Sequence, residues 1–282
     1  MCGRFNIISA PLAQYVMSIL EADIAVTGHA SNPGQNDPSL LNLTIETRYN
    51  IAPTDQVPVL LRTEDGSWDL RDMRWWLVPY WSKGPDSKYT MFNAKSETLT
   101  TSRAYKQPFK SRRAVVPASG YYEWVKEVGA KKPFYVEPVG ASGLGFAAIW
   151  ETWRGESAII ESCRIVTTAA TEGMATLHHR VPVMLAPGEV DAWVNRETDA
   201  ETLASIMAPA HKLPLSITPV STHVNNARNK DIVIKAINAF LISAAGFLDD
   251  IARAVILFLI TFVIFLTFNF ISTAYVMHSI YD

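Results

Sequence analysis

The chain has 282 residues, with 25 Lys+Arg against 27 Asp+Glu and a formal net charge of −2; 49% of residues are hydrophobic and 18% charged. This balance excludes a disordered or collagen-like chain and leaves one large domain or two small ones. Two cysteines, Cys2 and Cys163, exclude a disulfide scaffold and a cysteine-rich zinc module, and they point to a reducing compartment.

The start, Met1-Cys2-Gly3-Arg4, has neither the basic opening nor the apolar run of a secretory signal. Leu12, Tyr15, Val16, Ile19 and Leu20 follow helical spacing, so a helix is expected over 12–26. Residues 27–47 hold Gly28, Pro33, Gly34 and Pro38 and read as a polar loop. Strands are expected at 57–61, 73–78, 114–116, 120–125, 134–136, 145–150 and 163–168. Helices are expected at 187–194, with Pro187 in the first turn, and at 200–207. No βαβ rhythm and no repeat is present. The fold class is therefore α+β: a mainly antiparallel, partly closed, barrel-like sheet with surrounding helices, followed by a C-terminal hydrophobic helix.

Two regions break the near-neutral balance. Residues 71–132 hold 13 basic groups against 5 acidic ones, an excess of 8 that suits a polyanion surface or simply a solvated face. Trp75, Trp76, Tyr80, Trp81, Tyr89 and Phe92 are interleaved with them, the pairing of charge and stacking platforms used by single-strand binders. Of Trp75 and Trp76, alternation buries one and leaves the other outside, and Trp81 is the better candidate for a base contact. Residues 254–277 carry no charge over 24 positions. A domain over 1–230 and an extension over 231–282 are thus expected. The extension reads as a membrane-spanning helix, as a buried core helix, or as a tail without function after a complete domain.

Cys2 follows the initiator Met, and its small side chain permits Met1 removal. The mature chain would then start with an α-amine of pKa about 7.7–8.0 beside a thiol of pKa about 8.5. Such a 1,2-aminothiol condenses with an aldehyde to an imine, and the thiol closes on the same carbon to a five-membered thiazolidine. Glu123 lies in the aromatic run Gly120-Tyr121-Tyr122-Glu123-Trp124, where burial would raise its pKa, or where it forms an edge salt bridge. His178-His179-Arg180-Val181-Pro182 sets an imidazole beside a guanidinium. Asn93 and Lys95, two apart on an extended segment, share a face.

Five segments in order, Met1-Cys2-Gly3-Arg4-Phe5, Tyr49-Asn50-Ile51-Ala52-Pro53, Asn93-Ala94-Lys95-Ser96-Glu97-Thr98, Gly120-Tyr121-Tyr122-Glu123-Trp124 and His178-His179-Arg180-Val181-Pro182, resemble the SOS response-associated peptidase (SRAP) family, the abasic-site processing proteins. Val220-Ser221-Thr222 and Val224-Asn225-Asn226 are similar to its closing segment. The resemblance implies a barrel-like fold, a DNA-damage role, binding of single-stranded DNA, and a covalent crosslink between Cys2 and the ring-opened abasic sugar. It implies Cys2 as nucleophile, Asn93 as positioner of the sugar, Glu123 as acid/base that also assists autoproteolytic Met1 removal, and His178 in ring opening and reversal. It further implies phosphate contacts from Arg4, Lys95, Arg103 and Arg180, and strand-shaping or stacking roles for Pro53, Trp81 and Thr167. Lys95 stands where the family commonly has Arg, which loses a bidentate fork, and Val181 replaces a frequently bulkier residue. Residues 231–282 have no counterpart in the family.

No nucleotide or metal motif is present, so neither a cofactor nor a metal is expected, and the protein is expected to act as a monomer. Two competing readings stand: a Cys/His peptidase on other proteins, using Cys2 or Cys163 with His178, and a membrane-tethered binding module. Lys230, Lys235 and Arg253 precede the apolar run and no Lys or Arg follows it, which would leave the domain on the cytoplasmic face. As a helix the run would rise about 36 Å, enough for a ~30 Å hydrocarbon core. Full-length protein is expected to sediment with membranes and require detergent, whereas a chain ending at Lys230 is soluble. Full-length protein that stays soluble without detergent eliminates a spanning tail.

Overall fold

The computed structural model describes residues 3–27, 45–85, 91–127, 130–210 and 212–230. The apolar run 254–277, most of the expected loop 27–47, and Cys2 lie outside the described residues. Among the described residues no helix is long and apolar enough to cross a membrane.

The elements in chain order are β1 (Phe5–Ile7), α1 (Ser9–Thr27), β2 (Arg48–Ile51), β3 (Gln56–Arg62), β4 (Trp68–Trp75), β5 (Asn93–Lys95), α2 (Lys106–Ser111), β6 (Arg113–Ala118) and β7 (Gly120–Glu127). There follow β8 (Ala130–Pro138), β9 (Leu144–Arg154), β10 (Ile159–Ala169), α3 (Glu172–Ala175), β11 (Arg180–Pro182), β12 (Met184–Leu185), α4 (Val190–Val194), α5 (Ala200–Met207) and β13 (Leu215–Pro219).

Strands β4, β3, β6, β9 and β10 pair in succession, and β10 returns to β4, so five strands close into a barrel. All the seams are antiparallel except β4–β10, which is parallel at Ser162↔Arg74 and Cys163↔Trp75. Closure leaves these strands no open edge. A second sheet runs β13-β8-β7-β1-β2. The apolar side chains of both sheets share one core that includes Phe5, Trp75, Tyr121 and Phe146. Helix α1 buries Leu12, Tyr15, Val16, Ile19 and Leu20 in it, the face its spacing predicts.

The α+β, barrel-like expectation is met, and the differences lie in element bounds. The strand expected at 73–78 ends at Trp75 and starts at Trp68. Asp69, Arg71, Asp72 and Arg74 fill its outward positions, so its polar half does not look like a strand. The helix expected at 187–194 is a short 3-10 turn, Pro187–Glu189, followed by α4. Strands β1, β5, β11 and β12 span only two or three residues, too short for periodicity to register.

Gly120 is required by a close approach. A Cβ at this position would lie 2.6 Å from the Val136 carbonyl oxygen and against the Tyr135 phenol. The bare backbone lets Tyr135 cross β7 and donate to Asn6 Oδ1 at 3.0 Å, which fixes β8 to β1. Because backbone cannot yield like a flexible side chain, Gly120→Ala is expected to destabilise the protein by about 2–3 kcal/mol. Chemical denaturation measures this, and unchanged stability would refute the close approach.

Candidate functional site

The five sequence segments gather onto two triplets of strands. In the first, β1 lies between β2 and β7: Phe5 pairs with Ile51 on one side and Tyr121 on the other. The Tyr122 N–H donates to the Arg4 carbonyl at 2.9 Å, so the register carries the chain start toward Glu123. In the second, β10 lies between β5 and β11. Thr167 pairs with Lys95 in parallel and with Pro182 in antiparallel register. Trp75 joins the triplets. Its ring meets Phe5 edge-on at 5.0 Å, and its indole N–H donates 3.0 Å to the carbonyl of Phe92, the residue before Asn93. Trp76 is only half-buried and lies 5.8 Å from the Phe92 ring, so alternation divides the tryptophan pair as expected.

Glu123 is 3% exposed, and burial pushes its carboxyl above the usual range, with the positive charge of the chain's α-amino group acting against the shift. Tyr121 and Glu123 share one face of β7, while Tyr122 and Trp124 join a small cluster with Tyr135 and Val224 on the other. His178 Nδ1 accepts the Arg180 N–H at 3.0 Å, which leaves the proton of the neutral ring on Nε2. Burial lowers the His178 pKa, and the positive charges of the α-amino group, His179 and Arg180 lower it further. The His178 ring stacks on His179 with centroids 4.2 Å apart. At neutral pH, therefore, the imidazole is uncharged.

Asn93 is 6% exposed and is held through its backbone, which pairs with Ile165 and accepts a hydrogen bond from Arg164 Nε. Arg164 also donates to the Tyr105 hydroxyl and lies 4.4 Å from that ring. This buried arginine was not among the residues singled out above. Its signal was a lone cation inside the apolar run Cys163–Thr168, which periodicity treats as a strand position and nothing more. Burial lowers its pKa to about 10, so it stays charged at neutral pH.

The residues expected to contact phosphate or bases divide in two. Lys95 and Arg103 are exposed. Arg103 lies 4.5 Å from the Trp81 ring, on the wall of a cavity of about 940 Å³ that Leu77, Pro79, Met91 and Tyr105 also line. Trp81 is 42% exposed and Pro53 half-buried in the turn after β2. Arg4 and Arg180, by contrast, are committed to protein groups. Arg4 Nη1 donates to Asn50 Oδ1 at 2.8 Å and to the Val224 carbonyl at 3.0 Å. Arg180 is buried, makes a two-pronged pair with Glu97 at 2.9 Å, and donates to Thr167 Oγ1 at 3.2 Å and its carbonyl at 2.6 Å. Thr167 is wholly buried, so it shapes the strand and cannot stack on a base. Cys163 is also wholly buried, opposite Trp75 on β4, and burial pushes its thiol pKa up, which removes it as a nucleophile.

A family model described as SOS response associated peptidase (SRAP) matches residues 1–227. The chain is 31% identical to the abasic site processing protein YoaM of Bacillus subtilis, over 81% of this chain and 95% of that protein. It is 32% identical to the abasic site processing protein YedK of Escherichia coli, over 82% of this chain and 96% of that protein. A crystal structure of a protein from Bordetella bronchiseptica superposes with a TM-score of 0.59 at 18% identity, covering 78% of this chain and all of that one, which shows the shared fold.

The Arg180–Glu97 pair fastens β11 to the turn after β5. Its hydrogen bonds hold the Glu97 carboxyl well below its ordinary value, down to about 2. A depressed carboxylate pKa stabilises the fold above about pH 4.5, and the contribution is lost as pH falls toward 2. Glu97 is half-exposed, so solvent screens much of this. Glu97→Gln is expected to cost about 1–2 kcal/mol at pH 7, mainly by weakening the bonds to buried Arg180, and less at pH 3. Thermal melts of both proteins at the two pH values check the sign; an equal deficit at both would refute the pairing.

Proposed function

The chain belongs to the SOS response associated peptidase family, and on that footing we propose that it processes abasic sites in DNA, binding single strands and capturing the ring-opened sugar covalently at Cys2. The observation that carries the reading is the convergence of five segments on two strand triplets, which set the buried Glu123 on one and His178 on the loop that enters the other.

Each group then has a task suited to its environment. Glu123, its pKa raised by burial so that its protonated form is favoured, acts as acid/base, first in the hydrolysis that removes Met1 and then in imine formation. His178, neutral with its Nε2 proton outward, exchanges that proton with the sugar as its ring opens. Asn93, fixed through its backbone by Arg164 and Ile165, orients the sugar. The α-amine of Cys2 adds to the C1′ aldehyde and water leaves, giving an imine. The thiol sulfur adds to the same carbon, its proton passes to the nitrogen, and the thiazolidine ring is complete. Ring closure is intramolecular, which favours it over attack by a separate thiol.

Lys95, Arg103 and Trp81 supply the exposed cation and stacking surface for the strand, while Arg4, Arg180 and Thr167 hold the framework. A single-stranded path suits a buried acid/base such as Glu123 better than duplex DNA, because the abasic sugar must leave the stack to reach it. The burial of Cys163 removes the peptidase reading that used it as nucleophile and leaves Cys2 as the one cysteine available to either reading.

Cys2→Ala is expected to retain noncovalent DNA binding and to lose the stable adduct. Cys2→Ser keeps an imine that borohydride traps. His178→Ala slows capture by about 10²-fold, the range for a general acid/base, and Cys163→Ala changes nothing. Arg103→Ala weakens binding and flattens its salt dependence by about 0.7 in log–log slope. Intact and tandem mass spectrometry after incubation with an abasic-site oligonucleotide reads the adduct. Attachment to Cys163, to a lysine, or to a chain still carrying Met1 refutes the mechanism.

A further inference from the structure

Arg4 follows Cys2 by two residues, and one of the groups that hold it comes from the far end of the domain. Its Nη1 bridges Asn50 Oδ1 and the Val224 carbonyl. Asn50 is wholly buried. Its Nδ2 donates to the carbonyls of Asn226 at 3.0 Å and Asn229 at 2.8 Å, so both ends of the amide are occupied. Lys230 Nζ donates to the Asn50 carbonyl at 2.8 Å and to Asp55 Oδ2 at 2.6 Å. The same Asp55 oxygen accepts the Ala52 N–H at 2.9 Å. Between them Thr54 sits at φ +85°, a left-handed conformation that a β-branched residue adopts only under constraint. A strained turn, a fully bonded buried amide and a cation thus converge on the one guanidinium nearest the chain start.

None of these groups has a part in the chemistry, and the network is more elaborate than fastening a surface segment requires. We propose that Asn50 and Lys230 are positioning residues: through Arg4 they fix the direction in which strand β1 delivers the N-terminal cysteine to Glu123 and His178. Arg4 is thereby a strut, its Nη1 taken by the Asn50 and Val224 acceptors. The proposal rests on the reading that Cys2 is the nucleophile. Its geometric half, that residues 224–230 hold β1 against β7, does not.

The test uses the full chain with Lys230→Met and Asn50→Asp. Lys230 is half-exposed, so its variant folds; Asn50→Asp keeps the Arg4 partner but turns two donated bonds into oxygen facing oxygen. Two quantities are read. The first is the covalent capture rate at saturating abasic-site oligonucleotide, set against the concentration giving half-saturation. The second is amide hydrogen exchange at Tyr122, whose N–H is bonded to Arg4. The expected result is a capture rate lower by about threefold for Lys230→Met and about tenfold for Asn50→Asp. Half-saturation is unchanged, and exchange at Tyr122 is faster while that at Val116 in the barrel is not. Faster exchange with an unchanged capture rate overturns the positioning role, and unchanged exchange overturns the strut itself. Should the wild type capture no DNA, the proposed function fails, and exchange at Tyr122 alone then decides whether the strut exists.

Discussion

The arrangement depends on where one indole ring is buried. Trp75 closes the end of β4, and its N–H, once out of water, must find an acceptor or cost roughly 1–3 kcal/mol. The acceptor is the Phe92 carbonyl, which also receives the Ile165 N–H at 3.1 Å. That shared oxygen holds the start of β5 against β10. The ring's other side touches Phe5 and thereby holds β1. Phe5 and Tyr121 of the first triplet also pack edge-on against Phe146 of β9, which pairs with β10 of the second, so the tryptophan works with the barrel wall to set the distance between them.

Within this frame, two ionisable groups are driven in opposite directions by the same cause. Loss of hydration disfavours charge, so the carboxyl of Glu123 moves up and the imidazole of His178 moves down. Burial thus favours the uncharged form of each. Of the cations with permanent charge, Arg164 and Arg180 are bonded inside the frame, Arg180 near enough to help lower the His178 pKa, and Lys95 and Arg103 are exposed at its margin.

Sequence patterning made the long elements legible. The buried face of α1 was readable residue by residue, α5 runs over the expected 200–207, and the central strands β3, β6, β7, β9 and β10 each contain their predicted cores. What escaped has physical reasons. Strands β5 and β11 exist because β10 offers them unpaired edges beyond the barrel, a property of β10 and not of their own three residues. Arg4 and Arg180 look identical to surface arginines in a string of letters; only the carbonyls of Val224 and Thr167, 220 and 13 residues away, turn them inward. Glu123 was readable because aromatic neighbours on both sides announce a dry environment, whereas the partners of Asn50, equally buried between Tyr49 and Ile51, come from Arg4 and from residues 224–230, at separations that patterning does not register.

The bond between Arg4 and Val224 spans 220 residues, almost the whole of the folded domain. At roughly 5–20 residues per second of synthesis, the first of these groups waits about 10–40 s on the ribosome before the second is made. The barrel's parallel seam joins Arg74 to Ser162, and its last strand is complete at Ala169, so the barrel can close while residues up to Val224 are still to be made. The frame and the fastening of the chain start are thus separated in synthesis by about 55 residues. A chain cut short before Val224 has every barrel strand and lacks the carbonyl that holds Arg4.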